Sequence, residues 1–220
     1  MKIIDLSLPI FDKVPIPPGV PRQVRHTTAF KGPGHWQATW LELSAHTGTH
    51  VDSPLHVKAG APMIGDIPLE KVIGEAVVLD VTHRGEANAQ VTAEDFKKYE
   101  GQVKEGDIVI VRTDWGRKVF PRPEYYSESP YLTVEGARWL VDQKPRCICF
   151  DFFQEYNARL KEFTPDQFEV HNIMLGADII LVEGLTNLDK LSGQRVQFYA
   201  VPVKIGDSEA APGRAFAIEP

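Results

Sequence analysis

Eleven consecutive residues of this chain hold a high density of side chains that bind metal ions. From His46 to His56 the sequence reads His-Thr-Gly-Thr-His-Val-Asp-Ser-Pro-Leu-His, which includes three of the chain's seven histidines and one aspartate. Imidazole nitrogen and carboxylate oxygen together suit Zn²⁺, Mn²⁺ or Fe²⁺ better than a thiolate-seeking metal. The segment is therefore a candidate metal site.

The spacing of this segment favours an extended backbone with a bend. A helix would place only His46 and His50 on one face, and Gly48 and Pro54 disfavour a helix. In an extended chain, positions 46, 50, 52 and 56 all face the same side. A straight strand would separate the first two Cα atoms by about 13 Å, too far for bonds of roughly 2.1 Å to one ion. The backbone must bend, and Gly48 can supply the positive φ that a bend requires.

Exposed histidines on a polar loop are the alternative interpretation. For any one of these histidines alone, that alternative would be preferred. Four candidate ligands on the same side of an extended chain favour a metal site instead.

Two later residues are candidates for the same site. His171 lies near the middle of a predicted helix that begins with a capping box at Thr164 and ends near Leu175. Glu183 closes the apolar strand predicted over 177–183, where a buried carboxylate needs a partner. From the residues alone, that partner is either an arginine or a metal.

The segment 46–56 resembles the signature of the metal-dependent cyclase-like hydrolase family, which includes bacterial kynurenine formamidase and isatin hydrolase. Every fixed position of the pattern H-x-G-T-H-x-D-x-P-x-H is matched. Residues 183–185 resemble the family's Glu-Gly-Leu segment. The Ile-Asp-Leu-Ser start at 4–7, followed by a Pro/Gly loop near the pocket, is also similar to the family.

The resemblance implies a role for each candidate ligand. His46, His50 and Asp52 would hold a first divalent metal, Zn or Mn. Asp52 could bridge to a second metal held by His171 and Glu183, so the number per chain is left at one or two. Hydrogen bonds that orient the ligands are expected from Thr49 and Ser53.

The implied chemistry is hydrolysis of an amide-type C–N bond. A divalent metal lowers the pKa of bound water from about 15.7 towards about 7 and polarises a carbonyl, which supplies a metal-bound hydroxide at neutral pH. His56 would stay unligated as the acid–base that moves a proton from that water to the leaving nitrogen. The substrate would be a small aryl formamide, such as N-formylkynurenine, or a cyclic amide.

Two alternative functions remain open. One is a metal-dependent lyase or cyclase that stabilises an enolate, and the other is a non-catalytic module that binds a metal or small ligand. An unligated His56 argues against the second. Phe152, Phe153 and Gln154 stand where kynurenine formamidases tend to have small hydroxyl residues, so they could exclude N-formylkynurenine, although an aromatic pocket could stack a flat ring.

Composition limits the partners and location of the protein. The chain has 220 residues, of which 43% are hydrophobic and 25% charged, as in ordinary globular proteins. A net charge of −6 without any basic run argues against nucleic acid and anionic membranes as partners. No apolar stretch has the length of a signal peptide or membrane span, which predicts a cytoplasmic protein. Cys147 and Cys149 are expected to be buried core thiols.

The predicted elements indicate an α/β protein with one domain over residues 1–220. Strands and helices alternate in the middle, with hairpin-like strands at both ends, so we expect a mixed sheet with antiparallel edges and flanking helices. The resemblance implies a swivelling β/β/α architecture. Strands are predicted at 2–8, 23–31, 36–45, 74–81, 106–113, 147–151, 177–183 and twice within 197–218, and helices at 93–99, 134–143 and 165–175.

The Pro-rich segment 14–21 is predicted to be an ordered loop over the mouth of the site. Its apolar residues Val14, Ile16 and Val20 could form an interface, and the family resemblance implies a homodimer or homotetramer. Outside the segment, His26, His35 and His83 are expected to be structural or exposed.

Overall fold

The computed structural model describes residues 1–20, 22–34, 36–160 and 162–219 and has a mixed α/β fold, as predicted. His35, expected to be structural or exposed, lies outside these residues. The strands are β1 Lys2–Asp5, β2 Arg25–Lys31, β3 Gln37–Glu42, β4 His50–Asp52, β5 Ile73–Asp80, β6 Gln90–Val91, β7 Ile108–Arg112, β8 Tyr131–Leu132, β9 Cys147–Phe150, β10 Ile180–Glu183, β11 Arg195–Pro202 and β12 Ala210–Glu219.

One large sheet organises the molecule. Its strand order is β1-β12-β11-β5-β7-β9-β10-β4, in which β5, β7, β9 and β10 are parallel and the flanking pairs are antiparallel. The short strand β4 also pairs with β12, so the sheet closes into a ring. The predicted antiparallel flanks are therefore joined to each other by the three residues His50–Asp52.

The alternation of side chains along the parallel strands builds two apolar cores. Val109 and Val111 point to one core and Ile108 and Ile110 to the other. The first core lies between the sheet and the helices, and the second is enclosed by the ring of strands. Cys147 and Cys149 are fully buried in the second core and unbridged, which confirms the prediction of core thiols.

The helices cover the outer face of the sheet. They are α1 Ala93–Phe96, α2 Trp115–Val119, α3 Glu124–Ser127, α4 Val134–Asp142 and α5 Glu169–Gly176, with short 3-10 turns between them. None of the helices in the described residues is long and apolar enough to cross a membrane.

The predicted helix over 165–175 is divided in two. Thr164 and Gln167 form the expected capping box, but the turn Pro165–Gln167 is a 3-10 helix. Phe168, at φ −76° and ψ 62°, then leaves helical geometry before α5 begins. As a result, His171 lies in the first turn of α5 rather than in the middle of a long helix.

Gly48 forms the bend that the histidine spacing requires. Its φ is +64°, a left-handed conformation, and the strand β4 begins two residues later. A Cβ atom at this position would lie 2.9 Å from Ile10 Cγ1. Both the backbone conformation and the packing therefore favour glycine here.

We expect Gly48→Ala to destabilise the protein by about 2–4 kcal/mol, because the cost of a left-handed backbone at alanine and the cost of overpacking against Ile10 are added together. Gly60→Ala is the matched control: Gly60 has φ +79°, but apart from its chain neighbours no described residue has an atom within 4 Å of an added Cβ. That variant should lose only about 1–2 kcal/mol. Urea denaturation measures both free energies of unfolding, and equal losses would contradict the role of the Ile10 contact.

Candidate metal centre

The bend and strand β4 bring the three candidate ligands of the first metal together. His50 and Asp52 are two residues apart in a strand, so their side chains share a face. His46 reaches the same face from before the bend. Its Nδ1 lies 3.1 Å from Asp52 Oδ1, and His50 Nε2 lies 3.6 Å from the same oxygen.

The register between β4 and β10 adds the carboxylate predicted from the later strand. Glu183 stands directly opposite His50 in this antiparallel pair, and its Oε2 lies 3.5 Å from His50 Nε2. Its Oε1 lies 3.0 Å from His171 Nε2, which projects from α5. His50, Asp52, His171 and Glu183 are all at least nine-tenths buried.

His56 stands beside this group on a 3-10 turn formed by Pro54–His56. Its ring centroid lies 4.5 Å from that of His46 and 5.8 Å from that of His171. The structure therefore brings together all six residues predicted to form the site.

Unsatisfied polar atoms show that these residues fit a cation. His50 Nε2 and both carboxylate oxygens of Asp52 are buried and accept or donate no hydrogen bond within the described part of the chain. Buried polar atoms are normally paired, so a ligand is expected to satisfy these three. Nitrogen and carboxylate oxygen donors suit zinc and manganese.

Three sets of donor atoms within the described residues are close enough to hold an ion. In each set, the donor atoms lie within 4.8 Å of one another. One set is that predicted for the first metal, and both of the others include His56. The sets are His46, His50 and Asp52; Asp52, His56 and His171; and His46, His56 and Glu209.

Two carboxylates at the site were missed by the sequence reasoning. Glu155 Oε2 lies 3.1 Å from His171 Nδ1 and accepts hydrogen bonds from the backbone N–H groups of Val170 and His171. Glu209 Oε1 lies 3.0 Å from His46 Nε2, although 163 residues separate the two in the sequence. No local pattern marks Glu209, because only the β4–β12 pairing brings it to the site.

Gln154, one of the three residues expected to affect which substrate binds, contacts the site directly. Its side-chain amide donates a hydrogen bond to Glu183 Oε1. Of its neighbours, Phe153 lines the pocket over the site, whereas Phe152 is fully buried and packs against Phe150. Two of these three residues therefore reach the site.

Thr49 and Ser53 hold the main chain around the ligands. Thr49 Oγ1 donates to the carbonyl oxygen of Gly184 at 2.5 Å, and Ser53 Oγ donates to the carbonyl oxygen of Glu209 at 2.9 Å. Among the described residues, neither hydroxyl makes a hydrogen bond to the side chain of a candidate ligand. Their orienting effect is exerted through the backbone, which differs from the direct hydrogen bonds expected.

The buried carboxylates set the charge of the histidines. Burial opposes a charged imidazole, but the negative charge of Asp52 outweighs it and raises the pKa of His46 to about 10. Burial is likewise outweighed at His171, where hydrogen bonds to Glu155 and Glu183 raise the pKa to about 10. A divalent cation would supply the same positive charge to the carboxylates, and its binding would release these protons.

His56 differs from the other two histidines in its electrostatics. Burial lowers its pKa below the ordinary value, the positive charges of His46 and His171 act in the same direction, and Asp52 opposes them. An imidazole of this kind is neutral near pH 7 and keeps a free lone pair.

The pocket over these residues is small and has apolar walls. Its volume is about 110 Å³, whereas pockets that enclose drug-sized ligands have about 300–1,000 Å³. The proline-rich loop covers it, as predicted. The walls comprise Pro17, Pro18, Val20, Phe153, Ala158 and Phe168, and the floor comprises His46, His50, His56, His171 and Glu183.

Comparison with known proteins identifies relatives over most of the chain. The model of the Cyclase family, described as "Putative cyclase", matches residues 4–154. Kynurenine formamidase of Salinibacter ruber is 32% identical over 176 residues, covering 80% of this chain and 76% of that protein. Isatin hydrolase of Roseibium aggregatum is 26% identical over 201 residues, covering 82% and 74%.

A solved structure has the same fold from end to end. It is described as a "predicted metal-dependent hydrolase" from Bacillus stearothermophilus and is 27% identical to this chain. The two superpose with a TM-score of 0.77, covering 98% of this chain and 97% of the other.

Proposed function

This chain belongs to the cyclase family, and on that premise we propose that it is a metal-dependent hydrolase of amide-type C–N bonds in small substrates. The observation that carries the proposal is the set of buried donor atoms on His50 and Asp52 that make no hydrogen bond within the described residues and lie beside His46 in the arrangement of a metal site. Relatives named kynurenine formamidase and isatin hydrolase support the reaction class.

The ligand assignment follows the geometry. His46, His50 and Asp52 would hold the first ion. His171 and Glu183 would hold a second together with Asp52; in support, Glu183 Oε1 lies 3.0 Å from His171 Nε2, and donor atoms of Asp52 and His171 lie within 4.8 Å of each other. When bound, a divalent cation supplies Lewis-acid polarisation of a carbonyl and lowers the pKa of a water molecule. Zinc and manganese are the metals that we propose.

His56 is the proton carrier in this proposal. Its ring borders the pocket next to His46 and His171, so a substrate in the pocket lies within its reach. The lowered pKa keeps the imidazole neutral, so that it can take a proton from the attacking water and return it to the leaving nitrogen. Asp52 and Glu183 stabilise the imidazolium formed between these two steps.

The walls of the pocket favour a flat apolar group beside the scissile bond. Phe153 and Phe168 line it, and the proline-rich loop limits the access of water. Aromatic faces stack on planar rings, which suits an aryl formamide or a fused cyclic amide. The small volume holds the reacting end of such a substrate.

The first test is hydrolysis of N-formylkynurenine and of isatin by protein stripped of metal and then reconstituted separately with Zn²⁺ and Mn²⁺. We expect turnover of at least one substrate only with metal, since the activated water depends on the cation. An acid product, measured by proton release, separates hydrolysis from lyase chemistry. Binding of metal without turnover of any formamide or cyclic amide would contradict the proposal and favour a binding module.

Substitution at the site separates metal binding from catalysis. We expect His56→Ala to retain metal while kcat falls about 10²–10⁴-fold, the usual contribution of a positioned acid–base. Asp52→Ala should lose both metal and turnover. Metal content and kcat are measured together, with His83→Ala as the control, because His83 pairs with Asp95 away from the site. Loss of metal from His56→Ala would instead make His56 a ligand.

We also propose that the protein is a homodimer or homotetramer. Within the described residues, β2 and β3 pair only with each other, and Trp36 and Trp40 are 71% and 69% exposed on one face of this hairpin. An apolar groove of about 540 Å³ at the base of the hairpin, lined in part by Leu43 and Val203, could receive the same face of a second copy. A cytoplasmic location, and a single domain over 1–220, remain predictions.

Light scattering tests the assembly. We expect a mass of two or four chains, and Trp40→Ser should shift it towards one chain because it removes apolar area from the interface. Leu69→Ser, at an exposed residue outside the hairpin, is the control and should leave the mass unchanged. A monomeric native protein would contradict this part of the proposal.

A further inference from the structure

Glu209 is joined to the histidine segment by both its main chain and its side chain. Its carbonyl oxygen accepts hydrogen bonds from Ser53 N at 2.8 Å and Ser53 Oγ at 2.9 Å. Its Oε1 lies 3.0 Å from His46 Nε2, and its Oε2 accepts a hydrogen bond from Ser208 Oγ at 3.2 Å. The carboxylate is therefore held at a fixed place behind the ring of His46.

The three histidines proposed as ligands share one arrangement. In each ring, one nitrogen faces the candidate metal position and the other faces a hydrogen-bond acceptor. His50 Nδ1 meets the carbonyl oxygen of Gly48 at 2.9 Å, and His171 Nδ1 meets Glu155 Oε2 at 3.1 Å. Glu209 is the corresponding acceptor for His46.

This arrangement determines which nitrogen is available to a metal. A neutral imidazole carries one N–H, and an acceptor beside one nitrogen places the proton there. With the proton on Nε2 beside Glu209, the lone pair of His46 is on Nδ1, which lies 3.1 Å from Asp52 Oδ1. Carboxylates in this position orient the ring and make the ligand nitrogen more basic.

We propose that Glu209 is a positioning residue of the metal centre, which fixes the ring and the tautomer of His46. The inference rests on the proposed metal-dependent function. Glu209 acts through His46 and does not need to touch metal or substrate. Its side chain is 39% exposed, so replacing it leaves no buried unpaired charge and the fold should tolerate the change.

A direct role for Glu209 as a ligand is the competing arrangement. His46, His56 and Glu209 have donor atoms within 4.8 Å of one another. In that case His46 would use Nε2 for the ion, and Nδ1 would carry the proton towards Asp52. The two arrangements predict different coordination of the metal.

The test is the affinity for Zn²⁺, measured by calorimetry with a competing chelator, in Glu209→Ala and Glu209→Gln. We expect Glu209→Ala to bind Zn²⁺ about 10–100-fold more weakly, as for loss of other partners of ligand histidines. Glu209→Gln should recover most of the affinity, because its amide oxygen can accept the same N–H. Glu75→Ala is the control: Glu75 is a half-exposed carboxylate bonded to Arg195 away from the site, and its loss should leave affinity unchanged.

The visible absorption of the Co²⁺-substituted protein distinguishes the two arrangements. Positioning predicts the same coordination number, and so the same band intensity, in native protein and Glu209→Ala at saturating metal. A change of coordination would make Glu209 a ligand and overturn the inference, as would Zn²⁺ affinity within twofold of native. If the native protein binds no metal, the proposed function fails; if native and variant bind equally, only the role of Glu209 fails.

Discussion

The structure depends on a group of carboxylates that are buried close together. Asp52, Glu155 and Glu183 are nearly inaccessible to water, and each lies beside one or two of the histidines His46, His50 and His171. An isolated buried carboxylate is costly, and several together repel one another unless positive charge lies between them. Protons on His46 and His171 can supply part of that charge, and a divalent cation can replace them. The site is thus arranged for a cation, which links its stability to metal binding.

The backbone meets this requirement by closing the sheet at its shortest strand. β4 pairs with β10 on one side and with β12 on the other. The first pairing brings His50 to Glu183, and the second brings Glu209, the residue before β12, to within 3.0 Å of His46. Two glycines permit the approach of the neighbouring turns. A Cβ on Gly184, whose φ is +70°, would lie 2.5 Å from the carbonyl oxygen of Gly48. The two turns therefore touch through their main chains, and the ligands on either side of them are brought together.

The carboxyl ends of the parallel strands supply the rest of the site. β9 leads into the segment with Gln154 and Glu155, and β10 ends at Glu183. Asp151 fixes the start of the first segment by accepting hydrogen bonds from Thr113 and from the backbone N–H of Asp114. Its burial raises its pKa to about 6. Strand ends placed in this way hold side chains in fixed positions while the neighbouring loops determine the shape of the pocket.

The sequence by itself determined the first half of the site and the class of the fold. The spacing of His46, His50 and Asp52 implied one face and a bend at Gly48, because side chains alternate along a strand and only a bend brings two ligands to one ion. Alternating strands and helices likewise implied a mixed sheet. The single helix predicted over 165–175, with His171 near its middle, was wrong in its extent, since a capping box marks where a helix begins but not where Phe168 interrupts it. Glu155 and Glu209 were decided only by the tertiary structure. Their partners lie 16 and 163 residues away, and contacts between distant residues depend on strand pairing and helix packing that no local pattern encodes.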